Sequence, residues 1–342
     1  MNDSASRRAL AGKRILITGA RGFLGTHLRR ALEVSGAEIH GMVRKLAPDD
    51  SATVRWWEAD ASDAVAVDRV ISAVMPDVIF QMTSHAWGAP ELDKVLPTLQ
   101  NDLVATVNVL TSAVRTKVQR VITTGSMQEP QFIEGRCAPC SPYAAAKFAS
   151  AGYARMFHEV FDLPIVIVRP FMVYGPGQAP AKVIPYMIHS FLDGESPRVG
   201  DASQAIDWIY VDDVIDGMIK AATAKGIEGR TLDLGTGHCV TLAVVASQIA
   251  SLLGTSGQPE FGPSARPLEQ LRVADAQATE RLLDWRPEVS MQEGLRRTVD
   301  YWRAQRTSNA STSRVALWTG ASANLVLLGD LARSVSSGFN FA

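Results

Sequence analysis

The chain has 342 residues, of which 46% are hydrophobic and 20% charged, and its formal net charge at pH 7 is -1. This length and hydrophobic content suit one large unit, or two closely packed ones, with a sizeable core. A charge so close to zero, without blocks of like charge, argues against nucleic acid or an anionic membrane surface as a partner. No run approaches about 18 consecutive apolar residues, so we predict no membrane span and expect a small-molecule ligand.

The three cysteines, Cys137, Cys140 and Cys239, are too few and too unevenly spaced for a disulfide framework. They favour a reducing compartment, and since the first residues lack the apolar core of a secretory signal, we predict a cytoplasmic protein. Cys137 and Cys140 form a C-x-x-C pair, but no second ligand pair accompanies them in the sequence. Incidental loop thiols therefore explain the pair better than zinc or redox chemistry, and no metal site is predicted.

Residues 14 to 28 predict a strand, a glycine turn and the start of a helix. The strand is the aliphatic run from Ile15 to Thr18, and Gly19, Gly22 and Gly25 follow it at steps of three. The first glycine permits a tight turn, the second lets the backbone approach a pyrophosphate, and the third lets the helix pack closely on the strand. With the strand before it and the helix after it, this turn predicts a dinucleotide site at the helix N-terminus.

The second predicted strand, residues 37 to 43, ends at Arg44 and Lys45. Turns of this kind usually have an acidic residue about 20 positions after the glycines, which holds the ribose 2′-hydroxyl of NAD. Here Arg44 follows Gly25 by 19 positions and no carboxylate is present there. With Arg21 from the glycine turn, these cations would bind a 2′-phosphate, so we expect NADP(H), with NAD(H) possible. The alternative is that Arg44 and Lys45 only solvate a loop.

A short strand follows at residues 54 to 57, then a helix from Asp63 to Val74 and a buried strand at residues 76 to 82. Asp60, between the first two of these elements, could contact an adenine amino group. The residues after the buried strand would open over the cofactor crevice, because ligands bind at the carboxyl ends of parallel strands. His85 lies there, and a hydrogen-bonding bystander is a better interpretation of it than a proton donor.

Candidate catalytic residues follow a helix predicted at about 97 to 116 and a strand at 120 to 126. Tyr143 and Lys147 are four positions apart at the start of an alanine-rich helix, so both side chains lie on one face. A nearby ammonium group favours the phenolate, and we therefore expect Lys147 to lower the pKa of Tyr143. Ser126, at the end of the preceding strand, could share the hydrogen bond to a carbonyl oxygen.

Five segments together resemble the extended short-chain dehydrogenase/reductase family, specifically its nucleotide-sugar epimerases, dehydratases and 4-ketoreductases. They occur in family order across residues 14 to about 305 and comprise Thr18 to Gly25, Tyr143 to Lys147, Arg169 to Gln178, Asp207 to Asp213, and Leu283 to Pro287. The resemblance implies that Ser126 orients the carbonyl group, Tyr143 is the general acid/base and Lys147 holds the nicotinamide ribose. It also implies a Rossmann-type doubly wound parallel α/β sheet with a smaller C-terminal α/β substrate lobe, and a homodimer formed by the helices near 97 to 116 and 143 to 161.

The predicted sites follow from these motifs and the resemblance. The predicted cofactor contacts are Gly19, Arg21, Gly22, Phe23, Leu24, Gly25, Arg44, Lys45, Asp60, Ala61, Met82, Thr83, Ser84, Thr124, Tyr143, Lys147 and Pro170. The predicted substrate contacts are His85, Ser126, Met127, Gln128, Met172, Lys182 and Arg266.

Departures from the family pattern narrow the reaction. Sugar-nucleotide dehydratases have an Asp-Glu pair just after the catalytic hydroxyl, because elimination needs an additional acid and base. This chain has Met127 and Gln128 there, so dehydration is disfavoured. The stretch from Gly125 to Glu129 is more similar to that of the 4-ketoreductases.

Members of this family often have a substrate-binding asparagine where this chain has Met172, and an arginine where it has Ile206. Their binding roles would be altered or supplied elsewhere, with Lys182, Arg198 and Arg266 as candidates. The arginine at 266 matches the family's late phosphate-contacting arginine, whereas a solvated surface role stays open for Lys182 and Arg198.

The remaining segments are interpreted as structural. Asp212 and Asp213 open a helix and would cap it and complement its dipole. Gly235 and Gly237 predict a turn rather than a second nucleotide site, and helices are expected at 242 to 253 and 291 to 302. We divide the chain into a mainly dinucleotide-binding part (1–170), a mainly nucleotide-sugar-binding part (171–306) and a tail of unknown structure (307–342).

The sequence thus predicts NADPH-dependent reduction of a 4-keto group on a nucleoside-diphosphate deoxysugar, with tyrosine as the general acid. An epimerase that retains its NAD(P) is the enzymatic alternative. A cofactor-sensing protein without catalysis is an alternative of another class, since fold does not imply function. Hydride balance separates the two enzymes, because a reductase consumes one NADPH per product and an epimerase consumes none.

Overall fold

A seven-stranded parallel sheet forms the centre of the molecule. The computed structural model describes residues 4–47, 53–86, 88–131, 137–263 and 272–319, and beyond residue 307 it describes the backbone alone. The seven strands are β1 (Arg14–Thr18), β2 (Glu38–Val43), β3 (Val54–Glu58), β4 (Val78–Gln81), β5 (Arg120–Thr124), β6 (Ile165–Pro170) and β11 (Thr231–Leu234). Their order across the sheet is β11-β6-β5-β4-β1-β2-β3.

Shorter strands pair outside this sheet, and helices cover its faces. These strands are β7 (Met172–Tyr174), β8 (Arg198–Val199), β9 (Ala205–Ile206), β10 (Trp208–Tyr210), β12 (Val240–Thr241) and β13 (Glu260–Phe261). The helices are α1 (Ser4–Arg8), α2 (Phe23–Leu32), α3 (Ala64–Val74), α4 (Val95–Thr98), α5 (Ala105–Arg115), α6 (Pro142–Phe161), α7 (Val183–Leu192), α8 (Val211–Thr223), α9 (Leu242–Leu253), α10 (Ala276–Leu283) and α11 (Met291–Thr319).

Both faces of the sheet are buried, which explains why its strands are nearly continuous apolar runs. In β1, Ile15 and Ile17 belong to one core cluster with residues of α2 and α8. Leu16, which points to the opposite face, belongs to a second cluster with residues of α3, α5 and α6. The sheet is therefore doubly wound, and the predicted fold class is confirmed.

The chain after β6 contributes both to the central sheet and to a smaller lobe. In the lobe, α11 packs against α7 and α9, and β7 pairs in parallel with β10. The chain returns to the main sheet at β11, which pairs with β6. The carboxyl ends of β6 and β11 thus lie next to that of β5, and the predicted catalytic residues follow β5.

Several element boundaries differ from the sequence prediction. The helix expected at 97 to 116 begins earlier, as a 3₁₀ turn at Leu92–Lys94 followed by α4, and then contains a π-helical segment, Leu99–Val104, before α5. The strand expected to reach residue 126 ends at Thr124. The last helix continues through 307 to Thr319, so the predicted tail starts inside a helix, and residues 320 to 342 lie outside the described part.

The acidic start of α8 differs in role from the prediction. No side chain caps this helix among the described residues. Both carboxylate oxygens of Asp213 accept hydrogen bonds from backbone amides outside the helix, those of Glu288 at 3.0 Å and Val289 at 3.1 Å. Asp212 and Asp213 lie in the first turn of α8, as predicted, but the side chain of Asp213 ties the helix to the loop before α11 instead of capping it. Within the described ranges, no helix is both long and apolar enough to cross a bilayer.

Candidate active site

The glycine turn between β1 and α2 forms a close-packed cradle. Gly19 has a φ of 66°, and a Cβ there would lie 3.1 Å from the carbonyl oxygen of Met82. A Cβ at Gly25 would collide with the backbone of Gly19 and Ala20, so neither position accepts a larger residue. No side chain of the described chain caps α2 at Gly22, which leaves the start of this helix open to phosphate oxygens. The cradle therefore fits a dinucleotide.

Thr18 joins the glycine turn to the end of β4. Its Oγ1 accepts hydrogen bonds from the backbone amides of Met82 at 3.0 Å and Thr83 at 3.2 Å, and donates to the side chain of Gln81. Three predicted cofactor contacts, Gly19, Met82 and Thr83, consequently meet at one edge of the sheet. Sequence reasoning did not identify this role of Thr18.

Other predicted cofactor contacts surround the cradle. Phe23 and Leu24 form the first turn of α2 and pack partly buried against the core. Ala61 is buried, and its carbonyl oxygen accepts from the side chain of Asn108 at 3.0 Å. Pro170 is the last residue of β6.

The end of β2 is rich in positive charge. Arg21 donates a hydrogen bond to the carbonyl oxygen of Lys45, and its guanidinium carbon lies 5.4 Å from the ring centroid of Trp56. Arg44 and Lys45 are exposed. Glu58, a carboxylate on the neighbouring strand that sequence reasoning did not identify, accepts from the amide of Leu46 at 3.0 Å.

Asp60 is an ionised acid at the same side of the sheet. It accepts hydrogen bonds from the backbone amide of Ser62 at 2.9 Å and from its hydroxyl at 2.8 Å. These bonds hold the pKa of Asp60 below its usual value, and Arg44 contributes in the same direction. Asp60, the acid expected to contact adenine, thus already accepts two hydrogen bonds from Ser62.

Helix α6 presents the Tyr143 and Lys147 pair. Ser141 caps the helix by accepting from the amide of Ala144 at 3.1 Å, and Pro142 occupies the first turn, where its missing N–H has no cost. Tyr143 therefore stands in the first turn and Lys147 one turn later. The Nζ of Lys147 donates to the backbone oxygen of Thr124 at 3.1 Å and to its Oγ1 at 3.2 Å.

The side chains of Tyr143 and Ser126 share a hydrogen bond, and the pKa of Tyr143 is raised overall although Lys147 lowers it as expected. Burial raises the pKa of the phenol, and the negative charges of Asp102 and Glu129 add to this increase. Lys147 and a hydrogen bond with the Ser126 side chain lower it, yet they do not outweigh burial. The expected lowering by Lys147 is therefore present, but burial, which the sequence does not show, outweighs it.

Asp102 is a buried acid at this site that sequence reasoning did not identify. It lies in the π-helical segment, and its Oδ1 is 3.5 Å from the Nζ of Lys147. It accepts from the hydroxyl of Ser84 and from the backbone amide of His85 at 3.0 Å. The available signal was that Asp102 is the one carboxylate between residues 95 and 116. The exposed side chain of His85 agrees with the bystander interpretation.

A second buried acid, Glu129, holds the loop that carries Ser126. Its Oε1 accepts from the backbone amide of Ser126 at 2.8 Å, and its Oε2 lies 3.5 Å from Nη1 of Arg169. Arg169 donates from Nε to Asp233 at 2.7 Å, and Asp233 accepts from the amide of Asp275 at 3.1 Å. This charged chain connects the catalytic loop to the segment before α10.

Comparison with known proteins assigns the family. A sequence profile described as the NAD dependent epimerase/dehydratase family matches residues 15–235. The chain belongs to this family. It is 29% identical over 311 residues to the UDP-glucose 4-epimerase of Mycolicibacterium smegmatis, covering 85% of this chain and 98% of that relative.

Solved structures of other proteins have the same fold as this chain. A UDP-glucose 4-epimerase from Thermotoga maritima, solved with UDP-glucose, superposes with a TM-score of 0.80 at 23% identity, over 85% of this chain and 99% of that one. A UDP-glucuronic acid 4-epimerase from Bacillus cereus, in complex with UDP-glucuronic acid and NAD, superposes with a TM-score of 0.78 at 24% identity and the same coverage. The resemblance to the extended short-chain dehydrogenase/reductase family is confirmed.

The predicted substrate contacts of this chain lie on several different elements of the structure. Met127 is buried, and the amide of Gln128 donates to Oγ of Ser126 at 3.2 Å. Met172 is half-buried in β7, where it pairs with β10. Lys182 donates to the carbonyl oxygen of Ala86 at 2.7 Å, which links the start of α7 to the loop after β4.

The two arginine candidates have different outcomes. Arg198 is exposed and pairs with Glu260 at 2.9 Å, which is the surface role left open for it. Arg266 lies outside the described residues. The structure therefore adds no contact for the predicted phosphate-binding arginine.

The buried carboxylate of Asp207 holds the turn at Gly235 to Gly237. Asp207 is fully buried and accepts from the amides of Thr236 at 2.8 Å and Gly237 at 3.0 Å. It also accepts from the amide of Ala274 at 3.1 Å. Because a carboxylate already occupies these amides, they do not offer a second phosphate site.

Proposed function

We propose that the chain catalyses the NADPH-dependent reduction of a keto group at position 4 of a nucleoside-diphosphate deoxysugar. The observation that carries this proposal is the positive charge at the end of β2. Arg44 and Lys45 are exposed there, and the guanidinium of Arg21 is anchored on the carbonyl oxygen of Lys45. A 2′-phosphate would accept charge-assisted hydrogen bonds from these groups. The nearby Glu58 carboxylate is already bonded to a backbone amide.

The state of Tyr143 supports reduction. Burial raises the pKa of its phenol, so the group carries a proton at neutral pH and can act as a general acid. Tyr143 would donate this proton to the carbonyl oxygen of the sugar, while the hydroxyl of Ser126 polarises the same oxygen. When bound, NADPH would supply the hydride. Lys147, fixed against Thr124, would hold the nicotinamide ribose.

The substrate would lie between residues 1–170 and residues 171–306, which we propose as the cofactor-binding and sugar-binding parts. The bond from Lys182 to Ala86 joins these parts at the edge of the cleft. Met172, Lys182 and Arg266 would contact the substrate from the C-terminal part. His85, Met127 and Gln128 would do so from the cofactor side.

An epimerase with a retained cofactor is the second candidate, because the relative from Mycolicibacterium smegmatis is a UDP-glucose 4-epimerase. Dehydration has less support, since Met127 is buried and apolar where an acid would be needed. A purely cofactor-sensing role has less support too, since the Tyr143 and Ser126 pair and the neighbouring Lys147 are assembled for proton transfer.

A homodimer agrees with the exposed surface of the predicted helices. Leu92, Val95, Leu96 and Leu99 follow helical spacing and are all exposed, with Leu92 at 89%. Tyr153, Val160 and Phe161 of α6 are exposed as well. A second copy of the chain would cover these apolar side chains. Cys137, Cys140 and Cys239 form no disulfide within the described residues, which supports a reducing, cytoplasmic location.

The nucleotide carried by the purified protein tests the cofactor assignment. Mass spectrometry of the released nucleotide should show NADP(H) or no tightly held nucleotide, since a reductase exchanges its cofactor at each turnover. Stoichiometric NAD(H) would contradict the proposal and favour the epimerase.

A further inference from the structure

We propose that Asp102 is a positioning residue of the active site, whose carboxylate balances the charge of Lys147 and thereby limits how strongly this ammonium group stabilises the phenolate of Tyr143. The inference rests on the proposed function only in its consequence, because proton donation to the substrate is the role proposed there for Tyr143. The arrangement of Asp102, Lys147 and Tyr143 stands on contacts within the protein.

Asp102 is held at a fixed point inside the protein. Its side chain is 0% exposed, and its two oxygens accept from the hydroxyl of Ser84 and the backbone amide of His85. It projects from the π-helical segment, an irregularity that occurs often at functional sites. A buried charge needs a partner of opposite sign, and the ammonium of Lys147, 3.5 Å away, is that partner.

Lys147 is surrounded by acceptors. Its side chain is 3% exposed, and its Nζ contacts the backbone oxygen of Thr124, the Oγ1 of Thr124 and the Oδ1 of Asp102. An ammonium group has three donors, and the hydrogen bonds of this one go to the two oxygens of Thr124, whereas its contact with Asp102 is an ion pair. Its charge is therefore balanced by Asp102 before any ligand arrives.

The charges around Tyr143 come from three elements. Lys147 lies on the same helix, Asp102 on the π-helical segment, and Glu129 on the loop after β5. Arg169 lies 3.5 Å from Glu129 and balances its charge, as Lys147 balances that of Asp102. Substituting Asp102 would leave Lys147 as an unbalanced cation near the phenol. The phenolate would then become more stable.

The test is a titration of Tyr143 without substrate. The near-ultraviolet absorbance of tyrosinate is followed against pH for the wild type and for Asp102→Asn, and the signal of Tyr143 is isolated by subtracting the same proteins carrying Tyr143→Phe. Asp102→Asn is expected to move the titration to lower pH by about one unit or more, because one charge has been removed at close range. An unchanged titration in folded Asp102→Asn would overturn the proposal.

Asp93→Asn is the matched control. Asp93 lies in the turn that precedes α4, and its side chain is 72% exposed beside Lys94. Its removal should leave the titration of Tyr143 where it is in the wild type. A shift as large as that of Asp102→Asn would show that any loss of negative charge produces the effect, and would also overturn the proposal.

A double variant covers the case in which Asp102→Asn does not fold. Asp102→Asn with Lys147→Met removes both members of the buried pair and leaves no unpaired charge. If Asp102 balances Lys147, Tyr143 in this variant should titrate as in the wild type. If the charge of Lys147 is not balanced in the wild type, the loss of both groups should move the titration of Tyr143 to higher pH. That result would overturn the proposal.

The titration also separates this inference from the proposed function. A shifted titration in Asp102→Asn without any reduction of keto-sugar nucleotides by the wild type would support the role of Asp102 and contradict the reductase. Reduction by the wild type with an unshifted titration would do the reverse.

Discussion

The backbone amide of Ser126 donates a 2.8 Å hydrogen bond to Oε1 of Glu129, which is itself 3.5 Å from Arg169. Replacing Glu129 by alanine would leave this buried amide without an acceptor, at a cost of about 1–3 kcal/mol in the free energy of unfolding. Turnover should fall as well, because Ser126 is no longer held. Urea unfolding and turnover measure the two effects.

Glu129→Gln keeps an acceptor for the Ser126 amide, so it should retain more stability and turnover than Glu129→Ala. Glu159→Ala on the exposed side of α6 is the control, and its effect should lie within about 0.5 kcal/mol. Equal losses for Glu129→Gln and Glu129→Ala would show that the hydrogen bond to Ser126 is not what Glu129 contributes.

Tyr143→Phe should lower turnover by about 10²- to 10⁴-fold, the usual contribution of a general acid. Cofactor binding should stay nearly intact, since the phenol oxygen is lost while the ring and Lys147 remain. Fluorescence titration with NADPH measures the binding. Tyr153→Phe, an exposed tyrosine on the same helix, is the control and should turn over normally. A substantially active Tyr143→Phe would be incompatible with tyrosine as the proton donor.

Arg21→Ala combined with Arg44→Ala should erode the preference for NADPH over NADH. Each charge-assisted hydrogen bond to a phosphate is worth about 1.5–3 kcal/mol, so the ratio of the two dissociation constants should fall by at least roughly tenfold. Arg30→Ala, an exposed arginine of α2, is the control. If the double variant keeps the wild-type preference, these arginines do not read the 2′-phosphate and NAD becomes the expected cofactor.

Asp213 should give the protein a pH-dependent stability. Burial raises the pKa of this carboxyl to about 6 from 3.8. A raised pKa in the folded state means that the folded protein binds the proton more tightly, so the stabilisation is present below the lower value and is lost as pH rises through the higher one. At about two pKa units the loss amounts to up to about 3 kcal/mol.

Urea unfolding of the wild type and Asp213→Asn at several pH values checks this dependence. The advantage of the wild type over the variant should shrink as the pH rises from about 4 to about 6, because the variant cannot ionise. An advantage that grows with pH would mean that the ionised form is the stabilised one.

Most of the central sheet could be predicted from the sequence, because buried parallel strands are recognisable as aliphatic runs and Gly19, Gly22 and Gly25 specify the turn after the first. The two-residue strands such as β8 and β9 could not be predicted, since so short a segment has no periodicity. Helix α11 extends to Thr319, beyond the predicted end at residue 302. The apolar periodicity on which the prediction rests stops before the helical conformation does.

The grouping of Ser126, Tyr143 and Lys147 was predictable from the sequence, whereas the electrostatics of the group were not. The sign of the shift in the pKa of Tyr143 depends on burial and on Asp102 and Glu129, two acids from distant parts of the chain. Asp102 lies where the helix is π-wound, and its carboxylate is 3.5 Å from the Nζ of Lys147. A sequence pattern based on regular helical spacing does not contain this information.

The most direct measurement of the proposed reaction is the hydride balance with a panel of 4-keto nucleoside-diphosphate deoxysugars. Loss of nicotinamide absorbance from added NADPH and formation of product are followed in the same sample. Reduction predicts one NADPH oxidised for each sugar converted, with the new hydroxyl at position 4. Conversion of a nucleotide sugar to its epimer without net consumption of NADPH would contradict the reductase assignment.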